Sequence, residues 1–397
     1  MSLGVYVHVP FCERICPYCD FAVVAARPLE VRDEQRYVRA LLRELELRGA
    51  ALARAELESI YLGGGTPALL GVESVAAIVA ALREGAASLA PDLEVTLEVN
   101  PSTLERSRLA GFRRAGVGRL SVGVQSFDDE VLRRLGRAHR ADEARATLEA
   151  VRDASFDNLS LDLIFGAPGA SPQQLERDLA ESLRFAPEHV SAYELTVESG
   201  TPFALAEARG QLARPDEEAR VDALERIVAV LGGAGIARYE LSNFARPGFA
   251  SRHNRRYWRR QPVLGLGVGA WSSFGPLADA PQGGREANTR RLASYLEAIE
   301  AGRTALELRE CDDPASARAE ALFLGLRELR GVRAAAFEAE FGAPPRAWYA
   351  DEIDELVAAG LLLESPVGDL RSSERGLLFA DSVAGSFVGT SGSSQEA

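Results

Sequence analysis

The chain has 397 residues, 47% hydrophobic and 26% charged, with a formal net charge of −13; this balance excludes a disordered chain and fits one large α/β domain or two ordinary ones. The acid excess disfavours general binding to nucleic acid, and no uninterrupted apolar run is long enough to cross a bilayer. The first strand candidate begins almost at Met1, with no basic leader and apolar stretch before it, so a cytoplasmic protein with free thiols is expected.

Short apolar or β-branched runs predict strands at Val5–Val9, Ser59–Leu62, Glu94–Val99, Leu120–Val124, Leu159–Phe165 and Val190–Thr196. Stretches with helical spacing separate them, around Tyr37–Leu47, Val75–Leu82, Leu104–Arg114 and Leu175–Phe185. Repeated strand–helix units need parallel strands with helical crossovers, so the fold class is α/β. Polar signatures cluster at the ends of five successive strands, which selects a partial (β/α)6 TIM-like barrel over a doubly wound sheet with one switch point.

Beyond about residue 235 the rhythm is lost. Ala237–Asn243 reads as one more strand, followed by a basic aromatic segment and the Gly-rich run Leu264–Ala270. Residues 314–360 have a helical pattern; 361–371 and 376–379 read as a small hairpin, giving a winged-helix-like module. The expected division is 1–235 for the barrel, 236–384 for a smaller C-terminal domain and 385–397 for a loose polar tail.

The densest chemical signal is Cys12-x-x-x-Cys16-x-x-Cys19 directly after the first strand, holding three of the four thiols. Soft thiolates on one tight loop suit three corners of an iron–sulfur cubane and leave the fourth iron open. Structural zinc would need His8 as a fourth ligand. A disulfide framework does not suit three clustered thiols and a distant Cys311, which reads as a small packing residue.

Gly63-Gly-Gly-Thr-Pro67 permits close backbone approach to a ligand and lacks the Lys-Ser/Thr ending of a phosphate loop; a plain tight turn is its bland reading. Glu98, Gln125 and Asp162 are polar residues in apolar strand ends, where a buried carboxylate needs a ligand or a basic neighbour such as Arg137. Gly265–Ala270 imitates half a dinucleotide fingerprint without its frame, and reads as close backbone packing. Arg252-His-Asn-Arg-Arg-Tyr-Trp-Arg-Arg260 is open to three readings: a nucleic-acid patch, a solvated surface loop, or a heme site with His253 as metal ligand, Tyr257 and Trp258 as faces and arginines for carboxylates.

The cysteine motif after Tyr-Val-His-Val-Pro-Phe, the GGGTP run, Glu98-x-Asn-Pro, Gly-Val-Gln125 and Asp162 together resemble radical S-adenosylmethionine (SAM) proteins of the coproporphyrinogen dehydrogenase-like group. The resemblance implies a [4Fe–4S] cluster on Cys12, Cys16 and Cys19 with SAM at the open iron. It places Tyr6, Tyr18, Gly64, Gly65, Thr66, Glu98, Gln125, Arg137 and Asp162 around SAM. It also implies a HemN-type C-terminal domain. Two branches share these features: HemN, which oxidatively decarboxylates coproporphyrinogen III in porphyrin biosynthesis, and HemW, which binds heme and delivers it to acceptors. Three features fit the second. Phe21 stands where HemN-type enzymes have a further cysteine, the cluster strand begins almost at Met1 where they carry an extension, and His253-Asn-Arg-Arg-Tyr-Trp258 is similar to the HNxxYW motif, whose histidine is implicated in heme binding. Trp271 stands where the family commonly has histidine. The expectation is therefore a heme chaperone holding cluster and SAM, with acceptor hemoproteins such as respiratory enzymes as partners, peripheral membrane contact at most and no nucleic acid. Whether SAM is cleaved is left open.

Overall fold

The structure is a computed structural model that describes residues 2–388. Six parallel strands run in chain order: β1 (Ser2–Val9), β2 (Glu56–Gly64), β3 (Ser88–Val99), β4 (Arg119–Gln125), β5 (Leu159–Phe165) and β6 (His189–Glu194). The intervening helices include α1 (Val31–Arg48), α2 (Val72–Gly85), α3 (Thr103–Arg114), α4 (Asp129–Arg134), α5 (Ala141–Asp153) and α6 (Pro172–Arg184). α7 (Pro202–Ala208) and α8 (Glu217–Gly233) follow β6. None of the helices among the described residues is long and apolar enough to cross a membrane.

Strand periodicity explains why these segments curl around a polar interior. Alternate residues Ile60, Leu62, Val95, Leu97, Leu120, Val122, Leu159 and Leu161 are buried in the main hydrophobic core, which a side-chain period of two places on one face, under the helices. The residues between them, Ser59 and Tyr61, Glu94 and Glu98, Arg119 and Ser121, Ser160 and Asp162, point to the other face, where Tyr61 bonds Glu98, Ser121 bonds Asp162 and Ser160 bonds His189 between neighbouring strands.

The sheet is larger than expected. Beyond β6 lie two short antiparallel strands, β7 (Ala237–Arg238) and β8 (Asn243–Ala245), where one strand was anticipated. α9 (Arg252–Trp258) follows, and then β9 (Val263–Leu266) pairs parallel with β1, so the Gly-rich run supplies a seventh parallel strand. Its glycines are packing residues: a Cβ on Gly265 would lie 2.1 Å from the Trp271 carbonyl oxygen. β10 (Trp271–Phe274), β11 (Gly284–Asn288) and β12 (Leu306–Cys311) extend the sheet antiparallel to give the order β12-β11-β10-β9-β1-β2-β3-β4-β5-β6-β8-β7. The expected division at residue 235 falls inside this sheet.

A second hydrophobic core gathers Leu322, Phe337, Ile353, Leu362 and Phe387. Around it pack helices Pro314–Gly325, Ala334–Phe341 and Ala350–Ala358 and the hairpin Leu362–Glu364 with Leu370–Ser372. Residues 376–379 lie in and after a short helix, Glu374–Leu378, not in the hairpin. The tail starts later than expected: Gly385 ends a helix, and Phe387 is fully buried with its ring 5.4 Å from Tyr349. Residues 389–397 of that expected tail lie outside the described residues. Cys311 is exposed at the end of the edge strand β12, so it does not pack as expected.

Candidate functional site

The cysteine loop is stapled at its base. Phe11–Cys12 pairs with Val24–Ala25, and Ala26 donates its amide to the Cys12 carbonyl at 2.8 Å. β2 holds the loop from the side, because the amides of Gly65 and Thr66 donate to the carbonyls of Val9 and Phe11 at 2.8 and 2.7 Å. Gly64 has φ +107°, and a Cβ there would lie 2.4 Å from the His8 ring, so glycine is required for this turn.

Cys12, Cys16 and Cys19 line one cavity of about 660 Å³ at the C-terminal ends of the strands, together with Tyr18, Gly64, Gly65, Thr66, Glu98, Gln125, Arg137 and Asp162. Every residue expected around SAM is there except Tyr6, which lies deeper, hydrogen-bonded to His8 Nδ1 at 3.0 Å. Tyr61, Asn100, Ser121 and Tyr193 also line it and were not anticipated. Asn100 lay within the Glu98-x-Asn100 motif; the inward period of β2, β4 and β6 is the signal that could have found the others.

Glu98 accepts from Tyr61 Oη at 2.8 Å and from the Gly64 amide at 3.0 Å. Burial outweighs both bonds and pushes its carboxyl up to about 7. Asp162 accepts from Ser121 Oγ at 3.0 Å and is likewise raised by burial. Arg137 is not the hydrogen-bonding partner of either carboxylate. Its guanidinium donates to the Gly123 carbonyl at 3.0 Å, to Asn100 Oδ1 and to Cys16 Sγ at 3.6 Å, while its buried Nε has no partner among the described residues. Gln125 holds φ +66°, an uncommon backbone conformation for a side-chain-bearing residue, at the rim.

Burial pushes the Cys12 thiol up to about 12 and raises Cys19, so these thiols favour the neutral form until a metal takes the proton's place. Among the described residues no three His, Cys, Asp or Glu side chains converge on a single ion-sized point; a cubane does not require that, because each thiolate takes a different iron. His8 is committed elsewhere, with Nδ1 on Tyr6 and Nε2 3.0 Å from the Ala22 carbonyl oxygen, which removes the fourth ligand of the zinc reading. The donor set and the glycine-lined wall fit an iron–sulfur cluster and a small polar ligand.

His253 is placed elsewhere. α9 inserts beneath this cavity, its first amides held by Glu94, which accepts from Arg252 and His253 at 3.1 Å each. The imidazole is 1% exposed, hydrogen-bonds Ser59 Oγ at 2.9 Å and Tyr257 Oη at 3.1 Å, and stacks on Tyr61 with centroids 5.2 Å apart. Burial and the Arg256 and Arg119 charges lower its pKa to about 3. In this conformation both ring nitrogens are engaged by protein hydroxyls. The arginines are occupied too. Arg252 pairs with Asp92, Arg256 with Glu58, Arg255 and Arg259 with Glu328, and Arg260 with Asp312, Glu320 and Glu340. The basic stretch is therefore an ionic seam between the sheet and the C-terminal core, not a free patch for phosphates or propionates.

The model of the radical SAM superfamily matches residues 6–182, and that of the HemN C-terminal domain matches residues 312–379. A Bacillus subtilis protein named heme chaperone HemW is 32% identical over 97% of this chain and 98% of its own length. The protein of that name from Mycobacterium tuberculosis is 36% identical over 97% and 95%. This chain belongs to the HemW family of radical SAM proteins. Its fold is shared with coproporphyrinogen III oxidase (HemN) from Escherichia coli, a radical SAM enzyme, at TM-score 0.81 over 97% of this chain and 90% of that one, with 22% identity.

Proposed function

We propose that this HemW family chain is a heme chaperone that holds a [4Fe–4S] cluster on Cys12, Cys16 and Cys19 and SAM in the adjoining cavity. The observation that carries the cofactor assignment is the meeting of all three thiols with Glu98, Asp162 and the Gly64–Gly65 wall in one cavity. The heme assignment rests on similarity over nearly the whole chain to proteins named heme chaperone HemW. When bound, the cluster supplies an electron-transfer centre with one iron open to a ligand.

The chain's own residues bind and orient. Gly64 and Gly65 bring bare backbone to the ligand, and Glu98 and Asp162 accept from its hydroxyl or ammonium groups. Arg137, beside Cys16, sets a positive charge against the thiolates. In this reading the N-terminal unit runs to Cys311, and residues 312–387 form the C-terminal module. Delivery to acceptor hemoproteins such as respiratory enzymes, in the cytoplasm, belongs to the same proposal.

The fold shared with HemN favours one alternative, an oxygen-independent coproporphyrinogen III dehydrogenase. Against it, Phe21 is 66% exposed at the cavity rim, where the resemblance puts a cysteine in that branch. Anaerobic purification with iron and sulfide analysis tests the cluster, with roughly four of each per chain expected. Hemin titration beside incubation with coproporphyrinogen III, reductant and SAM tests the rest. Stable heme binding without protoporphyrinogen is expected; protoporphyrinogen without stable heme binding would overturn the chaperone.

A further inference from the structure

Arg119 is 2% exposed, yet no carboxylate among the described residues forms an ion pair with it, and its Nε and Nη1 have no hydrogen-bond partner there. Arg256, the other arginine buried as deeply, shows what a structural role looks like. It pairs with Glu58 and donates to the carbonyls of Ser2 and Pro262 at 3.0 and 2.9 Å. A guanidinium buried without such bonds is destabilising unless nearby charges answer it.

Its place in the barrel supplies those charges. Arg119 pairs in register with Thr96, and Thr96 with Tyr61. A period of two puts Arg119 on the inward face with Ser121, and Thr96 on it with Glu98; Ser121 in turn bonds Asp162 at 3.0 Å. The guanidinium therefore lies one inward residue beneath the groups that hold the two carboxylates of the cavity. Thr96 Oγ1 beside it is likewise buried without a partner among the described residues. Glu94, which also faces Arg119, is already satisfied by Ser251 Oγ and the amides of Arg252 and His253.

The other titratable groups around these carboxyls carry no charge to answer them. Tyr6 from β1, Tyr61 from β2 and Tyr193 from β6 face Glu98, and burial raises all three phenols; Tyr239, which faces Arg119, is raised in the same way. His189 on β6 and His253 on α9 are bonded to hydroxyls through both nitrogens and kept neutral. Arg137 reaches the cavity from its rim, where it donates to Gly123, Asn100 and Cys16. Burial raises Glu98 and Asp162 most, and the Arg119 charge is among the influences that draw each back down.

We propose that Arg119 is a positioning residue for the cavity above it: resting on the SAM reading, its cation holds Glu98 and Asp162 as anions, the form that accepts from the hydroxyl and ammonium groups of SAM. A cation can do this without touching either carboxylate, because charges in a buried site are weakly screened. An apolar side chain in its place leaves two neighbouring carboxyls with no counter-charge beneath them, which favours protonation of one.

The test is the pH dependence of SAM binding to the anaerobically reconstituted full chain, for wild type, Arg119→Met and Arg119→Lys. Wild-type affinity is expected to fall as pH drops through about 7, where Glu98 takes up its proton. Arg119→Met moves that midpoint up by about one pH unit, and Arg119→Lys, which keeps the charge, restores it. The amino group of SAM titrates alike in every arm, so the comparison isolates the protein. An unchanged midpoint in Arg119→Met overturns the role of Arg119 and leaves the SAM reading standing, because a packing role lowers affinity equally at every pH. Absence of SAM binding by the wild-type chain overturns both. If Arg119→Met does not fold, a crystal structure of the wild-type chain decides: a guanidinium joined to Asp162 or Glu98, directly or by one water, supports the role, and one joined to neither overturns it.

Discussion

Above Tyr61 the barrel strands end in Glu98, Gln125 and Asp162 around an open cavity, whereas below it Ser59 and Ser160 bond histidine rings and Glu94 accepts from the first amides of α9. Both regions are polar and both face inward. The upper carboxyls are raised by burial, Glu98 to about 7, and face space that a ligand can fill. The lower histidines are kept neutral: His253 is lowered to about 3 and His189, bridging Ser160 and Tyr239, is lowered as well. Arg119 and Thr96 are exceptions below, buried with Arg119 Nε and Nη1 and Thr96 Oγ1 unpartnered among the described residues, and the Arg119 charge helps to keep both rings neutral. Inward polarity alone does not mark a site; what marks it is whether the chain supplies the partners.

Removing one thiol should break the upper half most completely. Cys12→Ala is expected to abolish cluster binding, read as loss of protein-bound iron and sulfide, with the apo fold unchanged by circular dichroism. The lower half should respond in stability instead. His253→Ala leaves a cavity and orphans Ser59 and Tyr257, an expected loss of about 2–4 kcal/mol in urea unfolding of the apo chain.

Glu98→Gln sharpens the contrast because it should stabilise the apo chain. The folded pKa of Glu98 is raised, so its contribution is whole below about pH 4.5 and is lost as pH climbs through about 7. At pH 8 the glutamine variant should therefore be more stable by about 1–3 kcal/mol, a gain that shrinks toward pH 5, while its SAM affinity falls. His253 has the opposite sign: its folded pKa is lowered, so its contribution is whole above about pH 6.5 and is lost as pH falls toward 3. The ionic seam should give the smallest effect. Arg260→Ala leaves Asp312, Glu320 and Glu340 without their shared cation and should cost roughly 1–2 kcal/mol, less at high salt.

The six parallel strands and the residues at their ends are legible in the sequence because each strand carries its own apolar alternation and each motif sits at a strand terminus. The seventh parallel strand is hidden in four residues, two of them Gly265 and Leu266, whose pairing with β1 spans more than the whole barrel in sequence. α9 misleads for a related reason. Five arginines in nine residues look like a surface patch, and their carboxylate partners, Asp92, Glu58, Glu328 and Asp312 among them, lie far away along the chain. Local sequence showed the charge of that segment and not its company. The cavity residues Tyr61 and Ser121 were missed because a tyrosine or serine in a strand carries no motif until the barrel turns it inward.

Hemin titration of the anaerobically reconstituted His253→Gln variant, with iron content and unfolding midpoint measured on the same sample, tests the division between the two halves most directly. The account predicts a lower midpoint with hemin affinity, iron content and SAM affinity within about threefold of wild type. Loss of hemin binding with midpoint and iron content intact would contradict it.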